Sequence, residues 1–224
     1  MRRLFKLIAV LALAGFGQTS HATVEFDLST VINGDTPSGS TPWMTATFNN
    51  IAGGVSVELD NNMGSGSGQY ITDLLFNTSI SNPTSLVFSP SPSFLGPYTS
   101  LSTSTTQSLA GNSTNLQAGL FNIEIGFQST GNPLFPGGTS VEFEILGTGL
   151  TENSFNLLSA DGGPSNPGGW LMAAIVQGIP ILGSSNTTSG SIGFTNVSAV
   201  PEPQIYAMMA VGLLLIGFIV HRRK

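Results

Sequence analysis

Apolar and polar residues alternate along much of this chain. Val24, Phe26 and Leu28 are interleaved with Glu25, Asp27 and Ser29, and Val55, Val57 and Leu59 with Ser56, Glu58 and Asp60. Phe121, Ile123, Ile125 and Phe127 are separated by Asn122, Glu124 and Gly126, and Val141, Phe143 and Ile145 by Glu142 and Glu144. A period of two with one polar face predicts half-buried antiparallel strands. Residues 44–48, 69–76, 85–88, 154–158, 171–177 and 192–197 are further candidates, so about ten strands are expected. Residues 171–176 also fit a short helix.

Turn-forming residues separate these runs: Gly34-Asp35-Thr36-Pro37-Ser38-Gly39, Asn132-Pro133, Pro136-Gly137-Gly138 and Gly162-Gly163-Pro164. Residues 89–119 hold Pro90, Pro92 and Pro97, followed by a Ser/Thr-rich run, and read as a long surface loop or internal linker. Many short strands with Gly/Pro turns and no long helical period predict an all-β body, an antiparallel β-sandwich or jelly roll. No internal repeat is clear.

The two ends follow a different pattern. Arg2, Arg3 and Lys6 precede a short apolar stretch, and Ser20-His21-Ala22 places small residues where a signal peptidase reads them. Residues 1–22 therefore read as a signal peptide, with cleavage between Ala22 and Thr23. Its apolar stretch is too short to span a bilayer. At the other end, residues 205–220 are uncharged and mostly apolar, and Arg222-Arg223-Lys224 follow. At about 1.5 Å per residue that run would reach about 24 Å as a helix, somewhat short of a typical bilayer core of about 30 Å. Its cationic tail sets the expected orientation, cytoplasmic at the C-terminus. The expected organisation is a signal helix over 1–22, an exported domain over 23–199, and a single transmembrane helix within 200–224.

Val200-Pro201-Glu202-Pro203, the apolar run and the basic tail together resemble the PEP-CTERM sorting signal of bacterial envelope proteins. The resemblance covers about 25 residues, and the three-part order at a chain terminus carries it more than the three letters do. It implies that Pro201, Glu202 and Pro203 are a recognition motif for an exosortase, a transpeptidase-like membrane enzyme of Gram-negative bacteria that make exopolysaccharide. It implies that the helix is a transient anchor and that this chain is a substrate of sorting. Passenger domains in that family are diverse, so the tail does not define what residues 23–200 do.

Composition narrows the chemistry. The chain has 224 residues, 28 of them Gly and 13 Pro, with no Cys. Its 6 Lys and Arg all lie at the ends, so residues 7–221 contain neither, and the only His residues are His21 and His221. The body therefore lacks Ser-His-Asp and Cys-His catalysis, Schiff-base lysines, arginine clamps and zinc sites built from His or Cys. Nucleic acid is an unsuitable partner, because phosphate needs cations. Glu25, Asp27, Asp35, Glu58, Asp60, Asp73, Glu124, Glu142, Glu144, Glu152 and Asp161 leave the body strongly acidic, with no internal salt bridge between side chains. Solubility must come from this charge and from Ser, Thr, Asn and Gly. No disulfide is possible, although an exported compartment would permit one.

The remaining constellations have plain structural readings beside functional ones. Glu58 with Asp60, and Glu142 with Glu144, suggest glycosidase-like carboxylate pairs, yet each pair lies at i, i+2 on the solvent face of one strand. Asp60-Asn61-Asn62-Met63-Gly64-Ser65-Gly66 carries oxygen ligands suited to calcium, with Asp60 and Asn62 the weak metal candidates. An EF-hand fails, because Ser65 occupies position six and Ile71 position twelve, and a Gly-rich hairpin loop explains the segment. Asp161-Gly162-Gly163 is weaker still. Trp43, Trp170, Tyr70 and Tyr98 would suit a sugar-stacking platform, or would anchor the core. Asn77, Asn112, Asn186 and Asn196 begin glycosylation-type triplets that chance explains in so Asn- and Ser-rich a chain.

The leading expectation is a non-catalytic exported envelope or matrix protein. Its partners would be a signal peptidase, an exosortase-type enzyme, the membrane through its C-terminal helix, and extracellular polysaccharide. It calls for no cofactor. A carbohydrate-binding module and an acid-dependent secreted hydrolase using two carboxylates are the alternatives.

Overall fold

The alternating runs do become strands. The computed structural model describes residues 23–90, 98–111, 116–130, 134–195 and 198–199. The expected signal peptide, Pro201, Glu202 and Pro203, the run 205–220 and Arg222, Arg223 and Lys224 lie outside these residues. The strands are β1 (Thr23–Leu28), β2 (Thr30–Gly34), β3 (Met44–Ile51), β4 (Gly54–Asn61), β5 (Tyr70–Phe76), β6 (Val87–Pro90), β7 (Tyr98–Thr103), β8 (Ile123–Phe127), β9 (Phe135–Pro136), β10 (Thr139–Leu146), β11 (Met172–Pro180), β12 (Thr187–Phe194) and β13 (Ser198–Ala199). Among the described residues there is no α-helix, so 171–176 joins a strand.

All pairings are antiparallel, and they form two sheets, an architecture consistent with a β-sandwich. The first runs in the order β13-β1-β3-β4-β10-β6. The second runs β2-β12-β11-β5-β8-β7, with β9 also pairing with β5. The chain passes repeatedly between the sheets; among the described strands only β3–β4, β7–β8–β9 and β11–β12 follow one another within one sheet. Both sheets contribute to one core: Phe26, Phe48, Leu59 and Phe143 from the first meet Leu74, Phe76, Ile123 and Val176 from the second. At its centre the Phe48 ring lies 4.6 Å from Phe155, 5.3 Å from Phe26 and 5.8 Å from Phe76. Edge and tilted contacts of this kind suit the ring quadrupoles.

The second sheet is buried on its other face too. Leu75, Ala173 and Ile175 point away from the main core into a second cluster with Leu116, Ala118 and Phe121. The cover over this face is pinned through backbone. Ser191 Oγ donates to Leu116 O (2.9 Å) and Ser159 Oγ to Ala118 O (2.7 Å). The Asn166 amide donates to Gly119 O (3.1 Å) and accepts from Gly119 N (2.7 Å). Burial on both faces accounts for the nearly continuous apolar run Met172-Ala173-Ala174-Ile175-Val176.

Several expectations are corrected. Residues 154–158 do not form a strand: Glu152–Phe155 is a 3-10 turn, closed by reciprocal bonds between Thr151 and Ser154. It drops Phe155 into the core and leaves Leu157 and Leu158 toward solvent. Residues 89–119 are not one long loop, because β7 pairs with β8 and Leu109 bridges Phe121. β12 starts five residues before its expected onset at 192, in a Thr/Ser/Gly sequence that has little apolar signal, and it forms a hairpin with β11. The run 121–127 is not half-buried: Asn122 and Glu124, expected on a solvent face, are buried at 5% and 8% exposure, and Phe121 joins the second cluster instead of the main core.

Candidate functional site

The outward face of the first sheet gathers the carboxylates singled out by sequence. Cross-strand register sets them in three rows. Glu25, Thr47, Glu58 and Glu142 make the middle row, Asp27, Thr45, Asp60 and Ser140 a second, and Thr23, Asn49, Ser56 and Glu144 a third. Neighbouring strands are about 4.8 Å apart and same-face residues about 6.8 Å apart along a strand, so the face is a regular lattice of acids, hydroxyls and amides. Side chains within it are hydrogen-bonded. Thr45 Oγ1 donates to Asp27 Oδ1 (3.1 Å), Asn62 Nδ2 to Thr45 Oγ1 (3.0 Å), Thr23 Oγ1 to Asn49 Oδ1 (2.6 Å), and Ser140 Oγ to Asp60 Oδ1. Partial burial, followed by the charges of Asp27 and Asp60, raises the Glu25 pKa above its ordinary value.

Glu58 and Glu142 stand directly opposite each other on adjacent strands, an arrangement that costs stability when both are charged. They come from different strands, as a carboxylate pair would, and they are exposed on a sheet face. The i, i+2 pairs Glu58 with Asp60 and Glu142 with Glu144 do share this face, as their spacing predicts.

The loop from Asp60 to Gly66 joins the two sheets and so is not the hairpin expected. Its oxygen ligands diverge. Asp60 accepts from Ser140 and Asn62 donates to Thr45 on the outer face, whereas Asn61 is buried, donating through Nδ2 to Phe135 O (3.0 Å) and accepting from Met63 N (3.2 Å). Among the described residues no three acidic, His or Cys side chains gather as a metal site would require. At the other weak candidate, Asp161 Oδ1 accepts from Gly163 N (2.8 Å) in a turn.

The aromatic residues do not make one platform. Trp43 is buried in the main core and its indole N–H has no hydrogen-bond partner, while Trp170 packs at the second cluster on the other side of the second sheet. The Tyr70 hydroxyl donates to Ser129 O (3.3 Å), and the Tyr98 side chain lies outside what is described. Asn77 is fully buried and accepts from Asn122 N (2.8 Å), so its triplet is closed to modification in the folded state. Asn186 is exposed in the β11–β12 hairpin. Asn112 and Asn196 lie outside the described residues.

Sequence reasoning missed three buried acids. Asp73 and Glu124 are 7% and 8% exposed on the cover side of the second sheet, and Glu152 is 2% exposed in the 3-10 turn. Glu152 Oε1 accepts from Asn153 Nδ2 (2.6 Å), and its Oε2 has no hydrogen-bond partner. The available signal was an acid inside an apolar run, as in Ile71-Thr72-Asp73-Leu74-Leu75. No family model, curated protein or solved structure matches the chain.

Proposed function

We propose that this chain is an exported, non-catalytic envelope or extracellular-matrix protein of a Gram-negative, exopolysaccharide-producing bacterium, with a β-sandwich passenger body. A signal peptide delivers it, the helix within 200–224 holds it in the inner membrane with the Arg222-Arg223-Lys224 tail in the cytoplasm, and an exosortase-type enzyme cuts near Pro201-Glu202-Pro203. One observation supports this reading above others: residues Thr23–Val200 form a compact unit of their own, and its limits match the expected signal cleavage site and the Pro201-Glu202-Pro203 motif. Its first and last strands, β1 and β13, pair, with Val24 opposite Ala199, so removing both ends would leave the sheet intact.

A hydrogen-bonded acidic sheet face, without convergent aromatics among the described side chains, suits a hydrated polysaccharide environment better than it suits a sugar-stacking module or a two-carboxylate cleft. The intact mass of the mature protein from its native host tests the proposal. The expected N-terminus is Thr23, and the expected C-terminus lies at or near the Pro201–Pro203 motif, with any attached group read as added mass. Recovery of a chain that still carries both Arg2 and Lys224 from the cytosol would overturn it.

A further inference from the structure

The 3-10 turn Glu152–Phe155 ties the two sheets together at the end of the body where β1 begins. Glu152 N donates to Asn50 Oδ1 (2.8 Å), near the end of β3 in the first sheet. Ser79 N, just beyond β5 of the second sheet, donates to Ser154 O (2.7 Å). The Phe155 ring packs on Phe48 from β3 and Phe76 from β5. The turn packs against β1 as well as β3.

This junction contains a carboxylate taken out of water. Glu152 is 2% exposed; its Oε1 accepts from Asn153 Nδ2 (2.6 Å), and its Oε2 is buried with no hydrogen-bond partner. A buried carboxylate in that state is costly unless a cation or a further donor meets it. No side chain of the body can be the cation, because residues 23–199 contain no Lys, Arg or His.

The backbone can supply one, at a single place. Thr23 begins β1 and stands opposite Asn49, the neighbour of the Asn50 that holds the Glu152 backbone. While Ala22 is attached, the Thr23 nitrogen is a neutral amide. Hydrolysis of the Ala22–Thr23 bond releases Ala22 as a carboxylate and leaves Thr23 N as an ammonium group at the Glu152 end of the first sheet.

We propose that the Thr23 α-ammonium formed by signal-peptide removal is the counter-ion of Glu152, so that maturation fastens the 3-10 turn to β1 and closes this end of the body. The inference rests on the proposed cleavage between Ala22 and Thr23. The precursor carries an uncompensated buried acid where the sheets join, and the mature chain carries an ion pair there. Two other acids lie near Thr23: Glu25 on β1, and Glu144 in the row that runs through Asn49 and Ser56. Both keep access to solvent, where a pair with the amine would be screened, whereas Glu152 does not.

The test uses the Thr23–Val200 unit, which is compact and contains both hydrophobic clusters. It is prepared with Thr23 as first residue, with its amine either free or acetylated, and each form is made with and without Glu152→Gln. Near pH 7 the free α-amine should react with an acylating reagent about tenfold more slowly than in the Glu152→Gln variant, the factor that one pKa unit gives. Acetylation should lower the denaturant midpoint and speed amide exchange over residues 151–155 in the unsubstituted chain, and do neither in Glu152→Gln. Equal labelling rates with and without Glu152→Gln would overturn the proposal. Slow labelling that survives Glu152→Gln and is lost in Glu25→Gln would also overturn it, and would assign the amine to the outward face. The N-terminus of the protein from its native host separates the two readings. A first residue other than Thr23 would overturn the delivery reading and the ion pair's origin together, whereas an ordinary amine in the chain that begins at Thr23 overturns the ion pair alone.

Discussion

At the scale of single residues, the core and the lattice make opposite demands. Phe48 touches Phe26, Phe76 and Phe155 and is fully buried between the sheets. Phe48→Ala should lower the unfolding free energy by about 3–5 kcal/mol, through lost transfer energy and a cavity that rigid neighbours cannot fill. A shift of the urea midpoint without a change in slope would register it. Glu25 works in the other direction. Its folded pKa is raised, so its stabilising contribution is fully present below the ordinary carboxylate pKa and is lost as the pH rises through the raised value. Glu25→Gln should therefore stabilise the protein at neutral pH and change little in acid, read as denaturant midpoints at the two conditions.

At the scale of elements, register decides what alternation alone leaves open. The period of two places Glu25, Glu58 and Glu142 on the polar faces of three separate strands, which the sequence shows. Only the pairing of β1, β3, β4 and β10 sets them in one row. The run 121–127 shows the converse: Ile123, Ile125 and Phe127 share the main core as alternation predicts, but Phe121 turns into the second cluster, and Glu124, assigned to solvent, is buried opposite Leu75 of that cluster. The cover over this cluster depends on few bonds. Asn166→Ala removes both amide bonds to Gly119 and should cost about 1–3 kcal/mol. The loss should appear as faster amide exchange around residues 116–121 before it reaches β3 and β4. Gly119 has φ +84°, and an added Cβ would lie 2.5 Å from Ala160 O, so Gly119→Ala should loosen the same cover.

At the scale of the whole molecule, the body carries carboxylates and, between residues 23 and 199, no cationic side chain, so its N-terminal amine is its one positive group. Added salt therefore screens mainly repulsion. The melting temperature of the Thr23–Val200 unit should rise with sodium chloride at neutral pH and become insensitive to it below the carboxylate range. Thermal unfolding followed by circular dichroism at the two pH values checks this. A fall in melting temperature with salt would mean that attractive pairs, not repulsive ones, dominate the surface.

Residue type and local order are properties of the chain itself, and so the sequence determined the all-β class, most of the long strands, the turns at Gly34 and Pro136-Gly137-Gly138, and the absence of cations from the body. The proposed signal peptide and sorting signal rest on sequence patterns alone. Tertiary structure decided what depends on partners far away in the chain. The Ser/Thr-rich β7 and β12 have little apolar signal of their own and exist because β8 and β11 supply their hydrogen-bond ladders. Residues 154–158 fit a strand by pattern, yet Glu152–Phe155 closes as a capped turn that seats Phe155 against the rings of Phe48 from β3 and Phe76 from β5. Alternation tells which residues share a face of one strand; whether that face meets water, a cover or a row of like charges is set by packing between segments that the chain order does not bring together.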